Sequence, residues 1–476
     1  MMTLNLDEHR QGHTLERPPD TGTGDVDAAA TPSADLKRLA GEHGVRLKDL
    51  LVLAPQNDPF NSGTPRDRTL ARWFAADIGS STTHLRRQHY ARVSREDSTL
   101  PDGKRYENTD KVWETLIAGG KHARYLQLVH PDRITDQRNP PPHVHAHALE
   151  ASEPEADLEA DSWFLPQIDT SALRDVHLPL PRPTLEGYEY TPARQPRHVE
   201  VWCEKTTMND VLLPVCQRHG VNLTTASGFQ SITGSYQLLK RVEQHAKDTV
   251  VLYISDFDPA GQHMPRAVAR QLEFWSRRLG LEHRVLLQPL VLTADQARWY
   301  RLPRVPIKDS DRRKGAFEAT FGNGAVELDA LEALHPGELA RIVEAAILAH
   351  RDRDLEAAFA RARDEAHRLL DDACDEVATE YQDQVASLEA DVERVASEYQ
   401  AELDTLAERL AVDLRPFETE ARRLRQAVIG RIAEWIATVK LPPEPEPHAP
   451  PIDPDEYLLD TSRDFMTQLL EYRRRT

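Results

Sequence analysis

The sequence predicts a mixed α/β fold flanked by helical modules, and three observations predict it. From residue 198 onward the runs VEVWC, VNLTTA, TVVLYIS and VLLQPLVL are short, apolar and rich in β-branched residues. Helix-length stretches at 206–219, 231–246 and 262–279 separate them, and strands alternating with helices of that length build a parallel sheet. Either side of this region the spacing is helical, as a small module before it and a long repeat after it.

Taken in order, residues 1–35 are rich in Pro, Thr, Asp, Gly and Ala and are expected to be disordered. Residues 36–140 read as a small helical module. LARWFAADIG, HLRRQHYARVS and KVWETLIAGGKHARYLQLV each place apolar residues at helical spacing, and Asn108-Thr109-Asp110 offers a capped start for the third. Residues 141–197 are Pro-rich and acidic, a predicted linker with one or two strands. Residues 198–337 form the predicted α/β domain.

Residues 338–440 are predicted to form a long helical coiled-coil hairpin. Apolar or small residues recur from Ala366 to Leu410 in twelve steps over 44 residues, 3.67 per step. That is an eleven-residue repeat, which favours straight or slightly right-handed pairing. Pro416 is expected to interrupt it, and RRLRQAVIGRIAEWIATV to return as an antiparallel helix. Residues 441–476 read as a Pro-rich acidic linker and a short tail helix.

Composition bounds the function. The 476 residues suffice for about three domains, and no apolar run approaches the roughly 20 residues that a membrane helix needs. The start MMTLNLDEHRQGH lacks the layout of a secretory signal, and Cys203, Cys216 and Cys374 are too scattered for a disulfide framework, so a cytoplasmic location is predicted. The formal charge of −19 argues at first against a nucleic-acid partner. The acids are concentrated, however: 150–161 and 444–460 each carry six acids and no base, and 344–413 carry 20 acids and 7 bases. These stretches hold −25, which leaves +6 for the rest.

The sharpest local feature is SDFDPAG at 255–261, directly after TVVLYI. A parallel strand ending in Asp-x-Asp puts both carboxylates at the carboxyl edge of the sheet, where open α/β folds bind ligands. Asp256 and Asp258 are two residues apart and can face one side of an extended segment. Glu204 ends the strand VEVWC and has the matching address. Three converging acids repel one another, and a hard cation such as Mg²⁺ relieves that and acts on phosphate oxygens.

Glu204-Lys205 after a first strand, then Asp256-x-Asp258-Pro-x-Gly after a later one, resembles the Toprim domain, with the flavour of the topoisomerase VI A subunit and its meiotic double-strand-break relative. The resemblance covers roughly residues 65–350. It implies a Rossmann-like parallel sheet, Mg²⁺ on Glu204, Asp256 and Asp258, and an upstream winged-helix-like module carrying a nucleophilic tyrosine. THLRRQHYARVS at 83–94 is similar to the family pattern around that tyrosine, with Tyr90 at its position and His89 where the family usually has an aromatic. The resemblance implies cleavage of double-stranded DNA by a homodimer, with Tyr90, Glu204 and Arg86 catalytic. Arg86, Arg87, Arg92 and Lys205 are the expected DNA-binding side chains. Arg86, Arg87, Arg92 and Arg95 lie near Tyr90 with no acid among them, a fitting place for a scissile phosphate. Tyr106 and Tyr125 compete for the nucleophile's role with fewer arginines around them.

Two other readings stand beside this one: a Toprim nuclease in which water attacks, and a non-catalytic DNA-binding or scaffold protein. His143-Val-His145-Ala-His147 alternates and can place three imidazoles on one strand face for Zn²⁺ or Ni²⁺, but no acid stands near to support them. Lys308, Arg312, Arg313 and Lys314 precede a Gly-rich turn and are candidates for backbone contact. No Walker A motif occurs, so any ATPase would be a separate partner.

Overall fold

The computed structural model describes residues 27–79, 81–136, 139–148, 153–158, 177–226, 228, 230–399 and 403–475. In chain order, α1 (Pro32–Glu42), α2 (Pro65–Ala75), α3 (Leu85–Val93) and α4 (Asp110–Tyr125) come first, followed by β1 (Glu155–Leu158) and β2 (Pro183–Glu186). Strands and helices then alternate as β3 (His198–Cys203), α5 (Asn209–Arg218), β4 (Asn222–Thr225), α6 (Ile232–His245), β5 (Thr249–Ile254), α7 (Met264–Leu279) and β6 (Val285–Val291). Four short helices come next: α8 (Ala294–Trp299), α9 (Lys314–Phe321), α10 (Leu328–Leu334) and α11 (Glu338–Ala349). The long α12 (Leu355–Tyr399) and α13 (Leu403–Ile436) precede a final β7 (Leu459–Asp460) and α14 (Phe465–Arg474). Contacts divide the chain into two units, one of residues 1–148, 196–350 and 450–476, the other of 149–195 and 351–449.

The first unit is built on a five-stranded sheet of order β4-β3-β5-β6-β7. The first four strands are parallel, as expected, and β7 closes the edge antiparallel to β6 through Leu286↔Asp460 and Leu287↔Leu459. The sheet is therefore mixed, a correction to the all-parallel expectation. Alternation sends Val199, Val201, Val250 and Leu252 to one face, against α5, α10 and α11. Trp202, Val251, Tyr253 and Leu287 go to the other, against α6 and α7. Both faces are covered, which is why these strands read as continuous apolar runs.

Two segments outside the expected 198–337 domain belong to this unit. α11 buries Leu339, Val343 and Ile347 in the sheet core, so the boundary expected at 338 falls at 350 instead. The tail, expected to be a linker and a helix, adds β7 and docks α14 through Leu469 and Tyr472. At the other end, Thr31 caps α1, so folded structure begins before residue 36, and residues 1–26 of the segment expected to be disordered lie outside the described residues.

α2 and α4 pack closely because Gly119 and Gly120 of α4 leave room. A Cβ on Gly119 would lie 3.1 Å from Phe74 Cβ, and one on Gly120 3.1 Å from Phe74 Cζ. The segment at 143 bridges the outer edge of β4, where the His143 N–H donates to Leu223 O at 2.8 Å and Leu223 N–H donates back at 2.9 Å. Among the described residues no group of three His, Cys, Asp or Glu stands ready to hold a metal, which includes His143, His145 and His147.

The second unit is a helical hairpin with a two-stranded ribbon. Val377, Val385, Leu388 and Val392 of α12 join Leu414, Leu424, Val428 and Ile432 of α13 in one apolar cluster. The repeat, expected to run unbroken from Ala366 to Leu410, is instead divided between the two helices. Tyr399 bonds Asp413 and Arg431 bonds Glu380, which fixes the two helices as antiparallel. Pro416 lies inside α13 and does not mark the reversal; the first helix ends at Tyr399 and the second begins at Leu403. The ribbon β1–β2 occupies the predicted linker, and Leu158, Leu178 and Leu180 join the hairpin's apolar cluster.

Candidate active site

β3 and β5 are neighbours in register, Cys203 opposite Ile254, so the residues that follow each emerge side by side at the carboxyl edge. Glu204 continues β3, its N–H donating to Ile254 O at 3.1 Å. The chain after β5 turns sharply: Asp258 Oδ1 accepts the Gly261 N–H at 2.5 Å, and Ser255 Oγ donates to Gly261 O at 3.0 Å. A Cβ on Gly261 would sit 2.0 Å from Asp256 O, so only glycine fits this loop. Phe257 and Val326 exchange two backbone hydrogen bonds of 2.9 Å, which brings residues 325–329 alongside.

Glu204, Lys205, Asp256, Asp258 and Asp329 line one open groove of about 460 Å³. Glu204 and Asp256 are each 7% exposed. The Asp256 N–H donates to Glu204 Oε1 at 2.7 Å, and Asp256 Oδ1 accepts the Leu328 N–H at 2.7 Å. Glu204 Oε2 is buried without a hydrogen-bond partner. Lys205 Nζ lies 2.9 Å from Asp256 Oδ2, 2.5 Å from Glu327 Oε2 and 2.8 Å from Asp329 Oδ2.

Burial pushes the Glu204 carboxyl up to about 8, and the carboxylates of Asp256 and Asp258 raise it further against the help of the Asp256 N–H. Burial also raises Asp256, opposed by the Leu328 N–H and the Lys205 ammonium. Burial disfavours the Lys205 charge, but its bonds to Asp329, Glu327 and Asp256 outweigh that and hold it above the ordinary lysine range. The donor set consists of carboxylate oxygens with the Lys205 ammonium among them, and Glu204 Oε2 is the buried oxygen left over. Hard carboxylate oxygens are the donor type a divalent cation prefers, but among the described residues no three such groups are gathered to hold one, Glu204, Asp256 and Asp258 included.

The tyrosines separate cleanly. Tyr90 on α3 is 52% exposed. Tyr106 is buried with its hydroxyl 2.8 Å from His89 Nδ1, and burial pushes it up to about 12. Tyr125 is buried against Phe274 and Trp275 and is likewise raised by burial. Both competitors belong to the interior. His89 packs within an aromatic cluster, its ring 5.3 to 5.5 Å from those of Tyr90, Tyr106 and Trp113.

Arg86 and Arg87 are exposed one helical turn before Tyr90 and share its face. Arg92 does not. It is 2% exposed, paired with Asp77 at 3.2 Å and set over the Trp73 ring, so its predicted contact with DNA is corrected to a structural role. Arg95 is also bound to Asp77. The groove lining does not include Tyr90, Arg86 or Arg87. The structure thus brings Glu204, Lys205, Asp256 and Asp258 together and leaves the arginine–tyrosine face outside that set.

No family model matches the chain, and no curated protein matches it. Glu327 and Asp329 are the residues that sequence reasoning missed. The signal for them was faint: two acids flanking an apolar residue after the Gly-x-Gly turn, with nothing to say that Val326 pairs with Phe257.

Proposed function

We propose that the chain is a Mg²⁺-dependent enzyme that cleaves the DNA backbone, with a Toprim-type acidic centre and a winged-helix-like module bearing the nucleophile. The observation that carries this reading is the groove at the carboxyl edge of β3 and β5, which Glu204, Asp256 and Asp258 all line and in which Glu204 Oε2 is buried without a partner. Glu204, Asp256 and Asp258 would hold Mg²⁺, which when bound neutralises charge on phosphate oxygens. The module comprises α2, α3 and α4 with the turn at 98–106, where Thr99 pairs with Arg105.

Tyr90 Oη attacks the phosphorus of a phosphodiester and loses its proton to solvent. A phosphotyrosyl ester forms, the P–O bond to one sugar breaks, and that sugar oxygen takes up a proton. Arg86 and Arg87 orient the phosphate through charge-assisted hydrogen bonds. Because Tyr90 does not line the groove of its own chain, the reading includes a twofold dimer in which one protomer's tyrosine serves its partner's acidic centre. Strand passage would need a separate ATPase.

The same separation favours one second reading, hydrolysis with water as nucleophile and Tyr90 a surface residue. Tyr90→Phe decides between them. Protein–DNA adducts trapped by denaturation should form with the wild type and Mg²⁺ and vanish in this variant. Undiminished cutting by Tyr90→Phe assigns the attack to water.

A further inference from the structure

We infer that Lys205 is a built-in counter-ion that competes with the divalent cation for Asp256, and that Glu327 and Asp329 are the anchors to which it retires. The inference rests on the metal-binding reading above. An ammonium has three N–H donors, and Lys205 spends them on three carboxylates, Asp256, Glu327 and Asp329. It therefore has no donor to spare for a phosphate while this arrangement holds. Asp256 Oδ1 is committed to the Leu328 N–H, so Oδ2 is the oxygen left for a metal, and that is the oxygen Lys205 holds.

The two anchors differ from Asp256 in depth. The Asp256 side chain is 10% exposed, whereas Glu327 and Asp329 are 48% and 55% exposed. They sit at the start of α10, fixed beside Asp256 by the paired backbone bonds of Phe257 and Val326 and by the Leu328 N–H. A divalent cation on Asp256 Oδ2 repels the ammonium, and the nearest compensating charges are these two outer carboxylates. One cation enters as the other withdraws by a side-chain rotation, and Lys205 is then presented at the groove rim with a donor free for a phosphate oxygen. Glu327 and Asp329 thus act through Lys205 as positioning residues.

The test is Mn²⁺ titration of the full chain followed by electron paramagnetic resonance. Lys205→Met should bind Mn²⁺ about tenfold more tightly than the wild type, because a competing charge is gone. The pair Glu327→Gln and Asp329→Asn should weaken Mn²⁺ binding several-fold more when Lys205 is present than in the Lys205→Met background. Equal or weaker Mn²⁺ affinity in Lys205→Met overturns the inference, as does an equal loss from the acid pair in both backgrounds, which would make those acids ligands. A wild type that binds no Mn²⁺ removes the metal reading underneath it. An experiment on the unsubstituted chain guards against misfolding of the variants. Mg²⁺ should raise acetylation of Lys205 by an activated ester about threefold relative to surface Lys48, read by mass spectrometry, and an unchanged ratio overturns the inference.

Discussion

Gly261 shows how a single residue sets the acidic loop. Its ideal Cβ would lie 2.0 Å from the Asp256 carbonyl oxygen, a distance no backbone tolerates. Gly261→Ala should cost about 3 kcal/mol of stability and displace both aspartates, measurable as a lowered denaturation midpoint and lost Mn²⁺ binding. Buried charge is the other residue-scale theme. Arg270, Asp58 and Glu273 are all fully buried and linked, with Arg270 Nη1 2.9 Å from Glu273 Oε2 and its Nε 3.2 Å from Asp58 Oδ2. Arg270→Met strands two buried carboxylates and should destabilise by roughly 3–5 kcal/mol in urea unfolding. The Asp-x-Asp-Pro-x-Gly loop was legible in the sequence because the turn, the glycine and the acids are contiguous. Arg92 was misread because its burial depends on Asp77 and Trp73, which α2 and the loop after it bring in from 15 to 20 residues away.

At the scale of elements, long regular patterns were readable and short ones were not. The alternation of strands with helices in 198–291 and the 3.67-residue repeat from Ala366 to Leu410 each carry many residues of consistent signal, although the repeat did not show that α12 ends at Tyr399 within it. β7 has two residues and no period to detect; its place comes from pairing with Leu286 and Leu287, far away in the chain. Pro416 misled because proline normally ends a helix, yet here packing of Leu410, Leu414, Leu424 and Val428 along α12 carries α13 through it. That continuity has a cost, since proline removes a hydrogen bond within the helix. Pro416→Ala should stabilise the chain by about 1–3 kcal/mol, seen as a higher melting temperature; a lower one would show that the proline shapes the hairpin.

For the whole molecule, the division into units gives the net charge its meaning. The hairpin unit holds 34 acids and 16 bases, a net of −18, so the sheet unit stands near −1. The bulk charge of the sheet unit therefore neither draws nor repels a polyanion, and under the proposed function any affinity for DNA would have to come from local arginines and a bound cation. The sheet unit also predicts a pH limit. Burial pulls His122 and His350 down to about 4, with Asp67 opposing the effect at His122. A folded pKa below the unfolded one means stability is intact above about 6.5 and is lost as the pH falls from there toward about 4, by up to about 3 kcal/mol for each histidine. Urea midpoints should fall across that window, and the His350→Phe variant should lose less.

The central claim is that the acidic edge of β3 and β5 is a metal-dependent centre for DNA cleavage. Incubation of supercoiled plasmid with the full chain, with Mg²⁺ or with chelator, tests it against the Asp256→Ala, Asp258→Ala double variant. Strand breaks that require Mg²⁺ and disappear in the folded double variant are the predicted result; breaks that persist in that variant, or that form equally in chelator, would contradict it.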